Sequence, residues 1–264
     1  SQGIDGHVHK DARGFSIRVA SDQARAALSL MNTYDRENRF FRLFSPLPQW
    51  SASPFKSLTI FWIMGLLVLI HASAGYHQVH DSLVRTYGAS ALYILQGEIY
   101  RCVTALFLHA DVRHLAGNLA GLLLFCAPVI RLSGFGTGPF LLLWAGGLGN
   151  LVNAWARGTA HLSIGASTAV MAGAGLLAAW QTVSKKQFRL NDFMPILAGA
   201  VLVAFFSHGE KTDVAAHAFG FGCGLLTGLA FFALDRAFAS ARAQACFLGG
   251  ALFILFLSIA GPVI

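Results

Sequence analysis

The sequence predicts an all-α polytopic membrane protein, and three observations predict it. The 264 residues are 55% hydrophobic and only 12% charged, whereas soluble domains run nearer a quarter charged. The charge is also unevenly spread: residues 1–54 carry 12 charged side chains, and the 210 residues after them carry 19. That apolar body divides into runs close to the length of a spanning helix, about 20 residues. A large soluble core is thereby excluded. Net charge is +7, but the basic residues sit mostly in short loops between apolar runs. That placement suits a membrane topology and gives no nucleic-acid partner.

In chain order, residues 1–42 read as a small cytoplasmic domain. Phe15, Ile17 and Val19 alternate as a short strand does, and Ser21 is placed to cap a helix with Ala24, Ala27, Leu28 and Met31 on one face. Residues 43–56 form a linker with Pro46, Pro48 and Pro54, and Trp50 is expected at the membrane interface. Roughly 50 polar residues precede the first span, so no secretory signal is expected. Seven spans follow, at 57–74, 114–132, 139–156, 163–181, 192–207, 213–234 and 246–263. The first six make a core over 57–234, and 235–264 hold a loop and the seventh. With residues 1–56 inside, 14 Lys/Arg lie on the inner side and 5 on the outer. This places the N-terminus in the cytoplasm, with a bacterial inner (plasma) membrane as the expected location. Cys102, Cys126, Cys223 and Cys246 form no CxxC pair and read as packing residues.

Polar groups inside spans are costly and mark function. His114 and Asn118 open the second span, Ser167 lies near the start of the fourth and His217 near the start of the sixth. All three spans enter from the same face, so at about 1.5 Å per residue the four groups share one depth. A serine hydroxyl attacks a carbonyl once a base removes its proton, and a neutral imidazole does so near pH 7. His114 and Asn118, four apart, share a helical face and supply the donors an oxyanion needs. No carboxylate completes a triad. Asp213, four before His217, reads as an N-cap. Ala216, Gly220, Gly224 and Gly228 recur every four residues in span six, and span four carries Gly165, Ala169 and Gly173. Such spacing lets two backbones approach in lipid, so these spans are expected to be neighbours.

The stretches GEIYRCVTALFLHADVRHLAGN (97–118), SIGASTAVMAG (163–173) and AAHAFGFGCG (215–224) resemble the rhomboid family of intramembrane serine proteases. They carry its GxS motif (Gly165, Ser167), its AHxxG motif (His217, Gly220) and its HxxxxHxxxN pattern (His109, His114, Asn118). The resemblance implies a six-helix core plus one C-terminal helix. It further implies an endopeptidase with Ser167 as nucleophile and His217 as base, acting on transmembrane or membrane-tethered proteins in the bilayer. The oxyanion hole would be His114, Asn118 and the Ser167 N–H, with Gly165, His109, Arg101 and Gly220 structural near the site. No cofactor or metal is expected, and His7 and His9 are too isolated to form a metal site. The family pattern differs here at Thr168 and Met171, at Tyr100 before Arg101, and in lacking a glutamate near Ile130 and Arg131. His71, His161 and His208 read as interfacial. The alternative is a catalytically inactive binder of membrane clients of the same fold. A proton relay is a weaker rival, since it has no use for Ser167. The oligomeric state is left open.

Overall fold

The computed structural model describes residues 6–11, 14–37, 54–76, 78–158, 161–183, 213–232 and 240–262. Residues 43–53 of the linker, with Trp50, and His208 and the span expected at 192–207 lie outside the described residues, while residues 54–56, expected in the linker, belong to the first long helix. The chain divides into two units, residues 1–50 and 51–264.

In the first unit the strand expected at Phe15–Val19 is β2 (Gly14–Val19). It pairs antiparallel with β1 (Gly6–Asp11), from Gly6 opposite Val19 to Asp11 opposite Gly14. The His-Val-His-Lys run of β1 has a single apolar residue and so gives no alternation to read. Helix α1 spans Ala24–Glu37. Its first intrahelical bond runs from Ala27 N–H to the Gln23 carbonyl, so Ser21 lies in the preceding turn and is not the cap.

The second unit is helical. Helix α2 spans Pro54–Tyr76. The second span is continuous from Val112 to Ser133 but has three parts: α6 (Val112–Gly121), a π segment (Leu122–Cys126) and α7 (Ala127–Ser133). Pro128 accounts for the π segment, because it has no N–H and its ring crowds the Leu124 carbonyl one turn earlier. Then come α8 (Thr137–Arg157), α9 (Ser167–Val183), α10 (Val214–Phe232) and α11 (Ala241–Ala260). The last begins five residues before the expected start of the seventh span.

Among the described residues four helical stretches are long and apolar enough to cross a membrane: Leu58–Tyr76, Val112–Ser133, Val214–Phe232 and Ala241–Ala260. Helix α9, at 17 residues, is shorter, and α8 is less apolar; both form the interior, where Gly and Ala, with Asn in α8, replace large side chains. A helix surrounded by helices needs close approach more than it needs hydropathy.

The stretch between α2 and α6 is folded. It holds α3 (His80–Tyr87), β3 (Ala89–Ser90), α4 (Ala91–Leu95) and α5 (Arg101–Thr104), followed by a 3-10 turn at Ala105–Phe107. Strand β3 pairs antiparallel with β4 (Leu162–Ser163), so this loop is stitched to the segment leading into α9. Buried Arg101 anchors it, donating to the Arg85 carbonyl at 2.7 Å, the Gly88 carbonyl at 3.2 Å and Glu98 Oε2 at 2.7 Å.

Candidate active site

Residues 162–167 set the site. Strand β4 holds one end of this segment on β3, and the Gly165 N–H donates to the Ala105 carbonyl at 2.9 Å. Gly165 then turns the chain with φ +123°, a backbone conformation that favours glycine. A Cβ at 165 would lie 2.7 Å from His114 Cε1 and Nε2 and 3.5 Å from Asn118 Nδ2. The bare backbone therefore runs directly over the two expected oxyanion donors. Ser167 follows as the first, half-buried residue of α9. No turn of the helix takes up the backbone N–H there.

His114 sits in the first turn of α6, whose cap is Asp111: its Oδ1 accepts from the His114 N–H at 2.8 Å. The Ala110 N–H donates to His114 Nδ1 at a long 3.4 Å. A neutral ring thus carries its proton on Nε2, the nitrogen turned to Gly165. Buried Asn118 donates one amide hydrogen to the His114 carbonyl at 3.0 Å. Its Nδ2 has a second hydrogen to offer.

Buried His109 ties the folded loop to the turn before Ser167 and to the start of the second span. Its Nε2 accepts from the Ala166 N–H at 3.4 Å, its carbonyl accepts from His80 Nε2 at 2.8 Å, and its ring meets that of His114 edge-on at 5.3 Å. Burial, with His114 and His71 nearby, pushes its pKa down to about 4, so the ring stays neutral.

Helices α9 and α10 place Ser167 and His217 near one level. A Cβ at Gly220 would strike the Thr168 carbonyl, one at Gly224 would strike the Ala172 carbonyl, and one at Gly228 would come 3.3 Å from Leu176 Cα. These contacts advance by about four residues in both chains together, so the two helices run parallel. Helix α6 runs the same way, with Gly121 on Val170 and Cys126 on Gly173. Helix α8 runs opposite, with Gly149 on Thr168 and Gly220, and Gly146 on Ala169. Thr168 is next to Ser167, and Gly220 is one turn beyond His217. At about 1.5 Å per residue, the Thr168–Gly220 contact therefore sets both candidates within about 3 Å of one another along the seam. His217 is buried, and its backbone N–H donates to the Asp213 carbonyl at 3.1 Å.

Asp213 caps α10, its Oδ1 accepting from the Ala216 N–H at 3.1 Å. It also accepts from Asn153 Nδ2 (2.7 Å) and Arg157 (3.1 Å) and pairs with His161 Nε2 (2.6 Å). Burial alone raises such a carboxyl; these partners outweigh it and hold Asp213 at about 2. His161, expected at the interface, instead ties the segment before Ser167 to the start of α10. Asn150 and Asn153 of α8 were missed among the polar residues inside spans. Asn150 Nδ2 donates to the Cys102 carbonyl at 2.8 Å. Buried Thr168 puts its methyl between Gly149 and Gly220, and Met171 packs in a cluster with Phe221. Arg101 and Gly220 hold the loop and the seam, and neither reaches past its anchor contacts to Ser167. Among the described residues no group of His, Cys, Asp and Glu is disposed to hold a metal ion.

Residues 96–234 match the family model described as the Rhomboid domain. The chain is 32% identical over 206 residues to Rhomboid-like protease 3 of Toxoplasma gondii, covering 75% of this chain and 76% of that protein. It is 28% identical over 150 residues to the rhomboid protein YdcA of Bacillus subtilis (strain 168), covering 55% of this chain and 72% of that protein.

Proposed function

The chain belongs to the rhomboid family, and from that premise we propose that it is an intramembrane serine endopeptidase in which Ser167 is the nucleophile and His217 its base. One observation supports this reading: the Gly165 backbone turns over His114 and Asn118 immediately before Ser167, while the α9–α10 contact brings the start of α10, with His217, alongside the start of α9. Each group then has a role. His217 takes the Ser167 hydroxyl proton as Oγ adds to the scissile carbonyl. The oxyanion receives the Ser167 N–H, the His114 Nε2–H and the second Asn118 amide hydrogen. His217 returns the proton to the leaving amine, then activates the water that releases the acyl group.

The substrates on this reading are transmembrane or membrane-tethered proteins, cut near the end of the bundle where α6, α9 and α10 begin. The basic loops support a cytoplasmic N-terminus, a bacterial plasma membrane, and an outward-facing site. Residues 1–42 would then be a cytoplasmic module joined by the 43–56 linker to the 57–234 core. Removing one oxyanion donor costs about 10²–10³ in kcat in a soluble serine protease, and a similar loss is expected for Asn118→Ala.

The test is labelling of detergent-purified protein with a fluorophosphonate, comparing wild type, Ser167→Ala and His217→Ala. Labelling present in wild type and lost in both variants is the expected result. A folded wild type that stays unlabelled while an active rhomboid control reacts replaces the peptidase reading with the client-binding one.

A further inference from the structure

On the side of α8 turned away from Ser167, the structure holds a groove of about 370 Å³. Its walls include Tyr100 and Val103 from the folded loop, Trp144 and Leu148 from α8, and Leu257 and Ser258 from α11. We propose that this groove is a binding site for one acyl chain of a bilayer phospholipid, held along its methylenes rather than by its headgroup. The proposal rests on the membrane fold and does not depend on the peptidase reading.

Two polar groups of the walls are already satisfied. The Ser258 hydroxyl donates to the Ile254 carbonyl at 2.7 Å, and the Cys102 carbonyl already accepts from Asn150. An apolar space of this kind does not hold water. Nor does it stay shut, because Ile99, Trp144 and Leu257, all of them lining residues, are 58%, 47% and 44% exposed. These side chains continue into the exposed Leu252, Phe253 and Phe256 of α11, a helix apolar enough to cross the bilayer. The medium against that surface is hydrocarbon, so a lipid chain is the adjacent occupant. Its attraction is not hydrophobic, since lipid tails are as apolar as leucine. It is the dispersion energy that the lining atoms forgo when they face a gap.

The rim explains why the headgroup contributes little. The Tyr100 hydroxyl donates to Glu98 at 2.7 Å, and the nearby Arg101 guanidinium is committed to Glu98 and two carbonyls. These are the polar groups beside the groove, and they are already paired with one another. The consequence reaches the site through α8. Gly147 faces the groove, while Gly149 meets Thr168 and Gly220 on the seam. A chain in the groove therefore braces α8 against α9 and α10.

The experiment uses the whole protein in phosphatidylcholine vesicles containing a trace of phosphatidylcholine with a diazirine near the end of one acyl chain. After irradiation, the adducts are mapped by mass spectrometry. Adducts are expected to concentrate on 99–103, 143–151 and 254–258. They should fall about tenfold when either wall is filled by Ser258→Phe or Leu148→Trp, because the filled groove no longer offers the chain its lining atoms. A phosphatidylglycerol probe with the same chain should label equally. Adducts spread evenly over the exposed face of α2 would overturn the site, as would cross-links to a second copy of the chain at these segments. Phosphatidylglycerol labelling well above phosphatidylcholine would overturn headgroup independence. The wild-type map decides even if both filled variants fail to fold.

Discussion

The α9–α10 seam and the contact of α11 with α8 are both helix pairs in a membrane protein, yet they are built differently. In the seam, backbone meets backbone: Gly175 lies against the Phe221 carbonyl and Gly224 against the Ala172 carbonyl, with no room for a Cβ. Past its first turn, where Gly136 lies against the Gln244 carbonyl, α11 makes its contact with α8 through large side chains, such as Phe140 beside Phe247 with ring centroids 5.2 Å apart, and leaves the groove open. Small residues fix the distance between two helices to within the few ångströms that proton transfer between their side chains requires. Large ones fill space and tolerate adjustment. The difference assigns precision to the helices bearing Ser167 and His217, and bulk to the helix that encloses them.

The sharpest way to break this comparison is Gly224→Leu. A side chain there must displace the Ala172 backbone, whose Cα would be 2.6 Å from the new Cβ. Overpacking costs about 1–3 kcal/mol, occasionally more, and a clash with main chain belongs at or above the upper end. Fluorophosphonate labelling should vanish and the thermal midpoint in detergent should drop steeply. A stable, labelled variant would mean that the seam yields as readily as the periphery.

Gln244 is the exception that sharpens the contrast, a specific polar contact within the bulky region. Its Oε1 accepts from the Gly136 and Thr137 N–H groups at 2.9 and 3.1 Å, and its Nε2 donates to the Ser133 carbonyl and Thr137 Oγ1, both at 2.9 Å. The amide thereby completes the turn between α7 and α8. Gln244→Leu leaves those groups buried and unpaired, at about 1–3 kcal/mol for each group that finds no other partner. The midpoint should fall clearly while labelling at permissive temperature persists.

Asp213 comes next in size. Its carboxyl is held at about 2, below an unfolded value of about 3.9. The stability it lends is therefore complete above pH 4 and is lost as pH falls from about 4 towards 2. Asp213→Asn should cost roughly 2 kcal/mol at neutral pH and flatten the midpoint-against-pH curve across that acid window. A variant whose curve parallels wild type there would show that the pairs with His161 and Arg157 carry no net stability.

How much of this was legible depended on whether the signal was local. The four-residue spacing of Gly220, Gly224 and Gly228 announced the seam, but Gly165, read as part of the small-residue spacing of span four, instead turns the chain ahead of a helix that begins at Ser167. The π segment had its cue in Pro128, but proline says only that a helix must adjust, not how. Asn150, Asn153 and Gln244 were passed over because a lone amide in an apolar run has no pattern of its own; its meaning lies in backbone groups and a carboxylate 48 to 111 residues away. The His161–Asp213 pair joins residues 52 apart, and periodicity carries no information about such a pair. Strand β1 escaped because its side chains are mostly polar, so nothing in it alternated.

The smallest expected effect tests the loose side of the comparison. Gly249 lies in the middle of α11, and a Cβ there meets nothing within 4 Å among the described residues. Gly249→Ala therefore adds a methyl facing hydrocarbon and removes the backbone freedom of glycine, worth about 0.5–1 kcal/mol in favour of the folded helix. The thermal midpoint should hold or rise by a degree or two, roughly as a change of that size dictates, and Ser167 labelling should be unchanged. Gly224 and Gly249 are the same residue type in two helices of similar length and hydropathy. Only what stands opposite them differs. Should Gly249→Ala prove as damaging as Gly224→Leu, then α11 is packed to backbone tolerance as well, and both the groove and the division between precise and bulky helices would have to be given up.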